Sequence, residues 1–235
     1  MKLFIVHAHH EPKSFNGALT AAAVETAHAL GDEVRVSDLY AMKFDPVSDR
    51  RNFTSVKDPS YLKQQAEEAH ASHIDGFAPD IAAEMDKLFW CDVLVMQFPL
   101  WWFSLPAILK GWVDRVFASG RIYGGGKWYD RGVFAGKRAM LSVTVGGPPS
   151  MYEPGGLNGD IHEQVLFHIN HGMLAFTGFS VVRPFLVHGP ARMSPEQRAA
   201  ELERYRERIE TIGTAPTIAY PKLDEFDSEF RRKPG

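Results

Sequence analysis

Ser14 and Asn16 provide a hydroxyl and an amide at a point where an apolar run gives way to a helical pattern. A helix N-terminus also offers free backbone N–H groups and a positive dipole end, so this segment suits a phosphate group. Ser14 acting only as a helix cap explains the pattern equally well. The chain has neither G-x-x-x-x-G-K-S/T nor G-x-G-x-x-G after this run, which disfavours a nucleoside-triphosphate loop.

Three consecutive aromatic residues, Trp101, Trp102 and Phe103, lie between prolines in a second connecting segment. Aromatic side chains in an exposed loop usually need a flat ligand to cover them. Packing of these rings against the core is the alternative interpretation, because Trp and Phe are common beneath loops.

Gly146 and Gly147 precede Tyr152 in a third segment. Paired glycines allow backbone N–H groups to approach the edge of a ring, and the tyrosine adds a hydroxyl. A glycine pair alone is also typical of an ordinary turn. Taken together, the three segments favour a flavin, with one loop for its phosphates, one for the face of its isoalloxazine ring and one for the polar edge of that ring.

Other chemistries find less support in the residue types. His7, His9 and His10 are not joined by a Cys or carboxylate cluster at zinc-like spacing, so we expect no metal site. A hydrolase is disfavoured because the chain has no G-x-S-x-G elbow. Cys91 lies beside an apolar run, and we interpret it as a core residue rather than a reactive thiol.

The secondary structure that positions these segments can be predicted from short apolar runs, which alternate with segments of helical period. Strands are predicted at residues 3–8, 33–37, 92–98, 138–145 and 179–187, and helices at residues 14–30, 79–90, 106–117, 160–177 and 194–212. This alternation predicts an α/β fold: a flavodoxin-like, doubly wound five-stranded parallel sheet in the order 2-1-3-4-5, with helices on both faces. Ligands bind beyond the carboxyl ends of such strands, which is where all three segments lie.

We predict a single flavin-binding domain over residues 1–235, with residues 214–235 as a surface tail. Residues 41–78 are too long and too polar for a simple crossover, so short helices or a functional loop are expected there. The net charge of −3 and the pI near 6.4 give no reason to expect nucleic acid as a partner. No run approaches the ~20 apolar residues of a membrane span, and we expect a cytoplasmic protein.

Several motifs resemble those of the flavodoxin-like NAD(P)H:quinone oxidoreductases, the DT-diaphorase family, and indicate a short, bacterial-type member. The resemblance covers residues 2–212 and is most specific between residues 97 and 112. It rests on Ser14-Phe15-Asn16, Ser37-Asp38-Leu39-Tyr40-Ala41-Met42, Gln97-Phe98-Pro99-Leu100, Trp102-Phe103, Pro106-Ala107-Ile108-Leu109-Lys110-Gly111-Trp112, and Gly146-Gly147 with Ser150-Met151-Tyr152.

The resemblance implies bound FAD, with FMN less favoured, and NADH or NADPH as hydride donor. It also implies a homodimer whose active sites are built from both subunits. The residues that match the family's FAD contacts are His9, Ser14, Phe15, Asn16, Pro99, Leu100, Trp101, Trp102, Phe103, Thr144, Gly146, Gly147, Tyr152 and Arg198. The residues that match its substrate pocket are Trp102, Phe103, Tyr123 and Phe176, the last two of which the partner chain supplies.

The acceptor side of the site departs from the family pattern. Asn158 stands where the mammalian enzymes pair the active-site tyrosine with a histidine, and an amide cannot exchange a proton near neutrality. Tyr152 and Asn158 are therefore the predicted catalytic residues, with proton supply left to Tyr152 and water. Residues 124–126 are glycines within a segment where the family has a second pocket tyrosine, which predicts a more open acceptor site.

The predicted activity is a two-electron reduction of a quinone, or of a similar electrophilic acceptor, by a ping-pong mechanism through FAD. The alternatives are an azo or nitro reductase, a flavin-bearing regulatory subunit of a potassium-efflux transporter, and a flavodoxin-like electron carrier. The aromatic pocket wall argues against the carrier, because a carrier needs an exposed ring edge and no substrate pocket.

Overall fold

Five parallel strands form one sheet in the order β2-β1-β3-β4-β5 in the computed structural model, which describes residues 1–234. The strands are β1 (Lys2–His7), β2 (Glu33–Asp38), β3 (Val93–Pro99), β4 (Arg138–Val145) and β5 (Ser180–His188). β3 is buried along its whole length, and β1 and β4 are nearly so, because helices cover both faces of the sheet. The predicted flavodoxin-like strand order is confirmed.

The helices are α1 (Phe15–Ala29), α2 (Gln64–Ile74), α3 (Pro79–Trp90), α4 (Ala107–Val116), α5 (Phe167–Ile169) and α6 (Pro195–Thr211). α1 and α6 cover one face of the sheet, where Leu19 and Tyr205 are fully buried with Ile5 of β1. α3 and α4 cover the other face, where Leu88 and Trp112 are fully buried. None of the helices within residues 1–234 is both long and apolar enough to cross a membrane.

Local sequence fixes where α1 and α6 begin. Ser14 caps α1, because its Oγ accepts the N–H of Gly17 at 3.2 Å. Ser194 and Gln197 form the predicted capping box of α6, and Pro195 takes the first helical position. Each of these helices follows a strand of the sheet, so both N-termini lie at the carboxyl ends of the strands.

The segment predicted as one helix over residues 160–177 is helical but irregular. α5 is flanked by two π-helical stretches, Ile161–Val165 and Asn170–Ala175. The N–H of Leu166, for example, bonds to the carbonyl of Ile161 at 2.8 Å, so the turn spans five residues instead of four. In the polar connection of residues 41–78, the expected short helices are present as α2 and one 3₁₀ turn.

Residues 214–234 follow α6, and residues 217 and 218 of this segment pair with β5, the last strand of the sheet. The N–H of Ile218 donates to the carbonyl of Val181 at 2.7 Å, and the next residue of β5 pairs antiparallel with Thr217. The predicted surface tail is therefore attached to the sheet by backbone hydrogen bonding. Gly235, the last residue of that predicted tail, lies outside the described residues.

Candidate functional site

A cleft of about 720 Å³ lies at the carboxyl end of the sheet, between the N-termini of α1 and α6. Its volume is within the range of roughly 300–1,000 Å³ that is typical of small-molecule sites. The predicted cofactor-binding residues that line it are His9, Ser14, Phe15, Asn16, Pro99, Thr144 and Arg198. The remaining predicted contacts lie in the two loops described below.

The N-terminus of α1 forms one end of this cleft. The N–H groups of Phe15 and Asn16 have no hydrogen-bond partner within residues 1–234, as expected for the first turn of a helix. Lys13 and Arg198 add positive charge to the lining. Free N–H groups, a helix dipole and two cations together suit a phosphate or pyrophosphate group.

His9 lies beside these donors. Its Nδ1 accepts the N–H of Glu11 at 3.0 Å, so in the neutral ring the proton is on Nε2. Burial lowers the pKa of His9, and the neighbouring His10 lowers it further. The His9 ring also approaches Trp101, with centroids 6.2 Å apart. In the part of the chain that the structure describes, no three His, Cys, Asp or Glu side chains are arranged to hold a metal ion.

A buried amide network lies beneath the cleft. Nε2 of Gln97 donates to Oδ1 of Asn16 at 2.9 Å, and Nδ2 of Asn16 donates to Oγ1 of Thr144 at 3.0 Å. All three side chains are buried. The network joins the start of α1 to the ends of β3 and β4. The side-chain amide of Asn16 thus joins the loops of the site, and its backbone N–H is a second donor that has no protein partner within residues 1–234.

Gln97 was not among the predicted site residues, although the sequence carried a signal for it. It is the polar residue of the otherwise apolar run from Val93 to Pro99. A polar side chain inside a strand that is buried on both faces must find a partner there, and such a partner is a side chain of the neighbouring elements.

Trp101 to Ser104 form a tight turn that exposes the aromatic side chains. The backbone N–H of Trp101 donates to the Ser104 carbonyl at 3.2 Å, and the reverse bond measures 3.0 Å. Trp102 and Phe103 between them have φ values of 50° and 58°. Left-handed backbone is unusual for bulky residues and tends to occur at functional sites. Trp102 is 95% exposed, which excludes the core-packing interpretation for this residue.

The Gly146–Gly147 segment is fixed by the last residue of β5 and by the loop that follows it. The carbonyl of Gly146 accepts from the guanidinium of Arg192, and the carbonyl of Gly147 accepts from Nδ1 of His188 at 3.1 Å. The peptide bond between Gly146 and Gly147 is trans, so the N–H of Gly147 points in the direction opposite to the Gly146 carbonyl. It therefore points away from Arg192. The glycine pair therefore offers a backbone donor on the side opposite to its contact with Arg192.

Tyr152 lies next to both loops. Its ring is nearly buried, with its centroid 6.5 Å from that of Phe103 and 5.8 Å from that of His188. A Cβ atom at Gly147 would come within 3.0 Å of the Tyr152 ring, so the small residue allows this close approach. Asn158 is held near Tyr152 by its N–H, which donates to the Met151 carbonyl at 2.8 Å.

Tyr123 and Phe176 lie elsewhere on the chain. Their ring centroids are 5.8 Å apart, and both residues line a second pocket of about 490 Å³. Among residues 1–234, none lines both this pocket and the cleft. The chain by itself thus separates the predicted substrate residues into two groups, one at the cleft with Trp102 and Phe103 and one at the second pocket.

Comparison with known proteins places this geometry among redox proteins. Residues 1–212 match a protein family described as having a flavodoxin-like fold. The chain is 42% identical over 231 residues to NAD(P)H dehydrogenase (quinone) 1 of Cavia porcellus, an alignment that covers 98% of this chain and 84% of the relative. It is 41% identical over 212 residues to ribosyldihydronicotinamide dehydrogenase (quinone) of Homo sapiens, covering 90% and 91% of the two chains.

Two solved structures that are similar to this chain also carry the names of quinone reductases. A Klebsiella pneumoniae protein proposed to be a quinone reductase superposes with a TM-score of 0.96 at 37% identity, covering 100% of this chain and 94% of that one. The NAD(P)H:quinone oxidoreductase of Methanothermobacter marburgensis superposes with a TM-score of 0.73 at 25% identity, covering 93% and 99%.

Proposed function

This chain belongs to the family of proteins described by a flavodoxin-like fold, and we propose that it is an NAD(P)H-dependent reductase of quinones that works through a bound flavin. One observation carries the proposal. A phosphate-suited helix terminus, an exposed aromatic turn and a glycine pair with a tyrosine lie side by side at the same end of the sheet, with His9 next to Trp101 and Phe103 next to Tyr152. The names of the relatives support the same chemistry.

The cleft favours FAD over FMN as the flavin. A mononucleotide ends at the phosphate, which the N-terminus of α1 suits. The cleft continues past this point to the first turns of α6, where Arg198 and Leu202 line it together with Phe15 of α1. A cation beside apolar and aromatic side chains suits an adenine ring. We therefore assign the far end of the cleft to the adenosine half of FAD.

The protein's own contribution is to position the reactants and to stabilise charge. Bound flavin supplies the hydride-transfer chemistry itself. Trp102 and Phe103 provide the flat surface on which a nicotinamide or a quinone stacks. The N–H of Gly147 and the hydroxyl of Tyr152 are donors for negative charge at the polar edge of the ring. Asn158 orients the acceptor by hydrogen bonding, while Tyr152 and water carry the proton.

We further propose a homodimer in which Tyr123 and Phe176 of one subunit complete the cleft of the other. Their separation from the cleft within one chain supports this arrangement. Nicotinamide and quinone then occupy the same stacking surface in turn, which requires ping-pong kinetics. Residues 1–235 act as one flavin-binding domain in this proposal.

The first test is to release the bound cofactor by heat and to identify it by mass and absorbance. We expect FAD, and we expect the reconstituted protein to oxidise NADH or NADPH with a naphthoquinone as acceptor, giving parallel double-reciprocal lines. Recovery of no flavin, even after FAD or FMN has been added to the purified protein, would contradict the proposal. Flavin binding without quinone turnover would contradict the assigned activity alone.

A further inference from the structure

Two neighbouring carboxylates of α2 are buried and have different partners. Glu67 is 2% exposed and Glu68 is 5% exposed, although buried acidic side chains are uncommon and need compensating donors. Glu67 accepts the backbone N–H groups of Lys57 at 2.7 Å and Asp58 at 2.8 Å, so it fixes the loop before α2. Glu68 instead binds Ser119 and Gln64, which lie outside that loop.

Glu68 binds the segment that follows α4. Its Oε2 accepts the N–H of Ser119 at 2.7 Å, and its Oε1 accepts Nε2 of Gln64 at 2.8 Å. One turn further along α2, the single hydroxyl proton of Ser72 is shared between the Glu68 carbonyl at 2.8 Å and the Ser119 carbonyl at 3.0 Å. Both backbone polar groups of Ser119 are thus bound by one face of α2. Burial raises the pKa of Glu68, and its two hydrogen bonds oppose that shift.

The segment held in this way carries Tyr123. The N–H of Gly120 donates to the Tyr123 carbonyl at 2.7 Å, which closes a tight turn directly after Ser119. Gly120 has a φ of 83°, and a Cβ atom there would lie 3.2 Å from Cα of Ala69, so the turn packs against the α2 backbone. Nε2 of Gln65 also approaches the Tyr123 hydroxyl at 3.4 Å.

We propose that Glu68 is a positioning residue that sets the Tyr123 side of the acceptor pocket through its bond to Ser119. Glu68, Tyr123 and Phe176 line the same pocket of about 490 Å³. The inference rests on the proposed function, which gives Tyr123 its contact with the acceptor. It assigns Glu68 an indirect role, in which the carboxylate binds Ser119 and through that bond sets how well the acceptor binds.

The test compares Glu68→Met, Glu68→Gln and a matched control, Glu67→Met. Methionine keeps the volume but removes the acceptor of the Ser119 N–H, so we expect the KM for a naphthoquinone to rise about five- to tenfold, as the loss of one buried hydrogen bond implies. The kcat should change by less than about twofold, because the groups around the flavin are untouched. Glu68→Gln keeps an oxygen for Ser119 and should restore most of the affinity. Glu67→Met should leave the KM unchanged.

Amide hydrogen exchange of the flavin-loaded proteins gives a second readout that needs no turnover. Exchange of residues 118–124 should accelerate in Glu68→Met, whereas Glu67→Met should accelerate residues 55–60 instead. The inference needs both the KM change and the exchange change at residues 118–124; either one alone, or an equal KM rise in the Glu67 control, overturns it. Failure of the wild-type protein to reduce quinone is seen before any variant is compared and identifies failure of the proposed function.

Discussion

Tyr152 offers the most direct test at the scale of single residues. Its hydroxyl is placed beside the aromatic turn and the glycine pair, with the ring packed between Phe103 and His188. Tyr152→Phe keeps this packing and removes one donor, so we expect hydride transfer from NADH to the flavin to slow by about ten- to a hundredfold. Stopped-flow absorbance of flavin reduction measures this rate. Tyr61→Phe, at an exposed tyrosine, is the control.

A rate of flavin reduction in Tyr152→Phe equal to that of the wild-type protein would leave Tyr152 without a catalytic role. The backbone N–H of Gly147 would then be the remaining donor of the proposed site.

Cys91 is expected to be unreactive in the folded protein. It is fully buried, and its Sγ lies 3.3 Å from the Leu88 carbonyl. Burial raises the pKa of the thiol to about 11. Since the thiolate is the reactive form, an aromatic disulfide reagent at pH 8 should label Cys91 only after the chain is unfolded in guanidinium. Rapid labelling of the native protein would contradict the buried position.

Residue roles that depend on neighbours in sequence could be predicted, and those that depend on distant partners could not. Ser14 caps the next turn of chain, so its residue type and position predict its role. The amide of Asn16 instead meets Gln97, 81 residues away, and Thr144, 128 residues away. Nothing in the local sequence distinguishes an amide aimed at a ligand from one that meets such partners.

The Trp101–Ser104 turn is the element in which stability and function oppose each other. Trp102 has a left-handed backbone and a side chain that is 95% exposed, so it gains little from packing in the isolated chain. Trp102→Gly should raise the free energy of unfolding of the flavin-free protein by about 1 kcal/mol, because glycine adopts this conformation without strain. Chemical denaturation measures the gain, and flavin fluorescence titration should show weaker binding.

A Trp102→Gly variant that is less stable than the wild-type protein would mean that the indole packs in solution against a surface other than the flavin. Ala107→Gly, at an exposed position in α4, is the control for the general cost of glycine.

Among the secondary-structure elements, the strands were easier to predict than the irregular helical segment of residues 160–177. A strand buried on both faces is a short apolar run bounded by polar residues, as β3 shows. Hydrophobic periodicity over residues 160–177 indicates a helix, but it does not separate turns of four residues from turns of five. The π-helical stretches depend on how Ile161 and Leu174 fit the core, which only the folded chain defines.

At the scale of the whole molecule, the proposed homodimer can be tested by mixing two variants. If Tyr123 completes the cleft of a second copy, Phe103→Ala and Tyr123→Ala damage different parts of each shared site. Mixing the two inactive variants and allowing subunit exchange should restore about a quarter of wild-type activity, because half of the dimers are mixed and half of their sites are intact. Sedimentation should show a dimer throughout.

Each variant incubated alone is the control for that experiment. Dimers that exchange subunits and regain no activity would contradict a site shared between chains. The strand order of the sheet could be predicted from the alternation of strands and helices. The shared site was implied only by the family resemblance, because the residues of one chain do not show what faces its second pocket.

The two outer strands of the sheet have a consequence for solubility. Such strands present unpaired backbone groups, which can template edge-to-edge pairing with other chains. β2 is short and carries Glu33 and Arg35, and charged side chains discourage that pairing. β5 is longer and more apolar. Thr217 and Ile218 pair with its residues Val182 and Val181. The C-terminal segment therefore covers the first part of this edge and leaves fewer backbone groups of β5 free to pair with another chain.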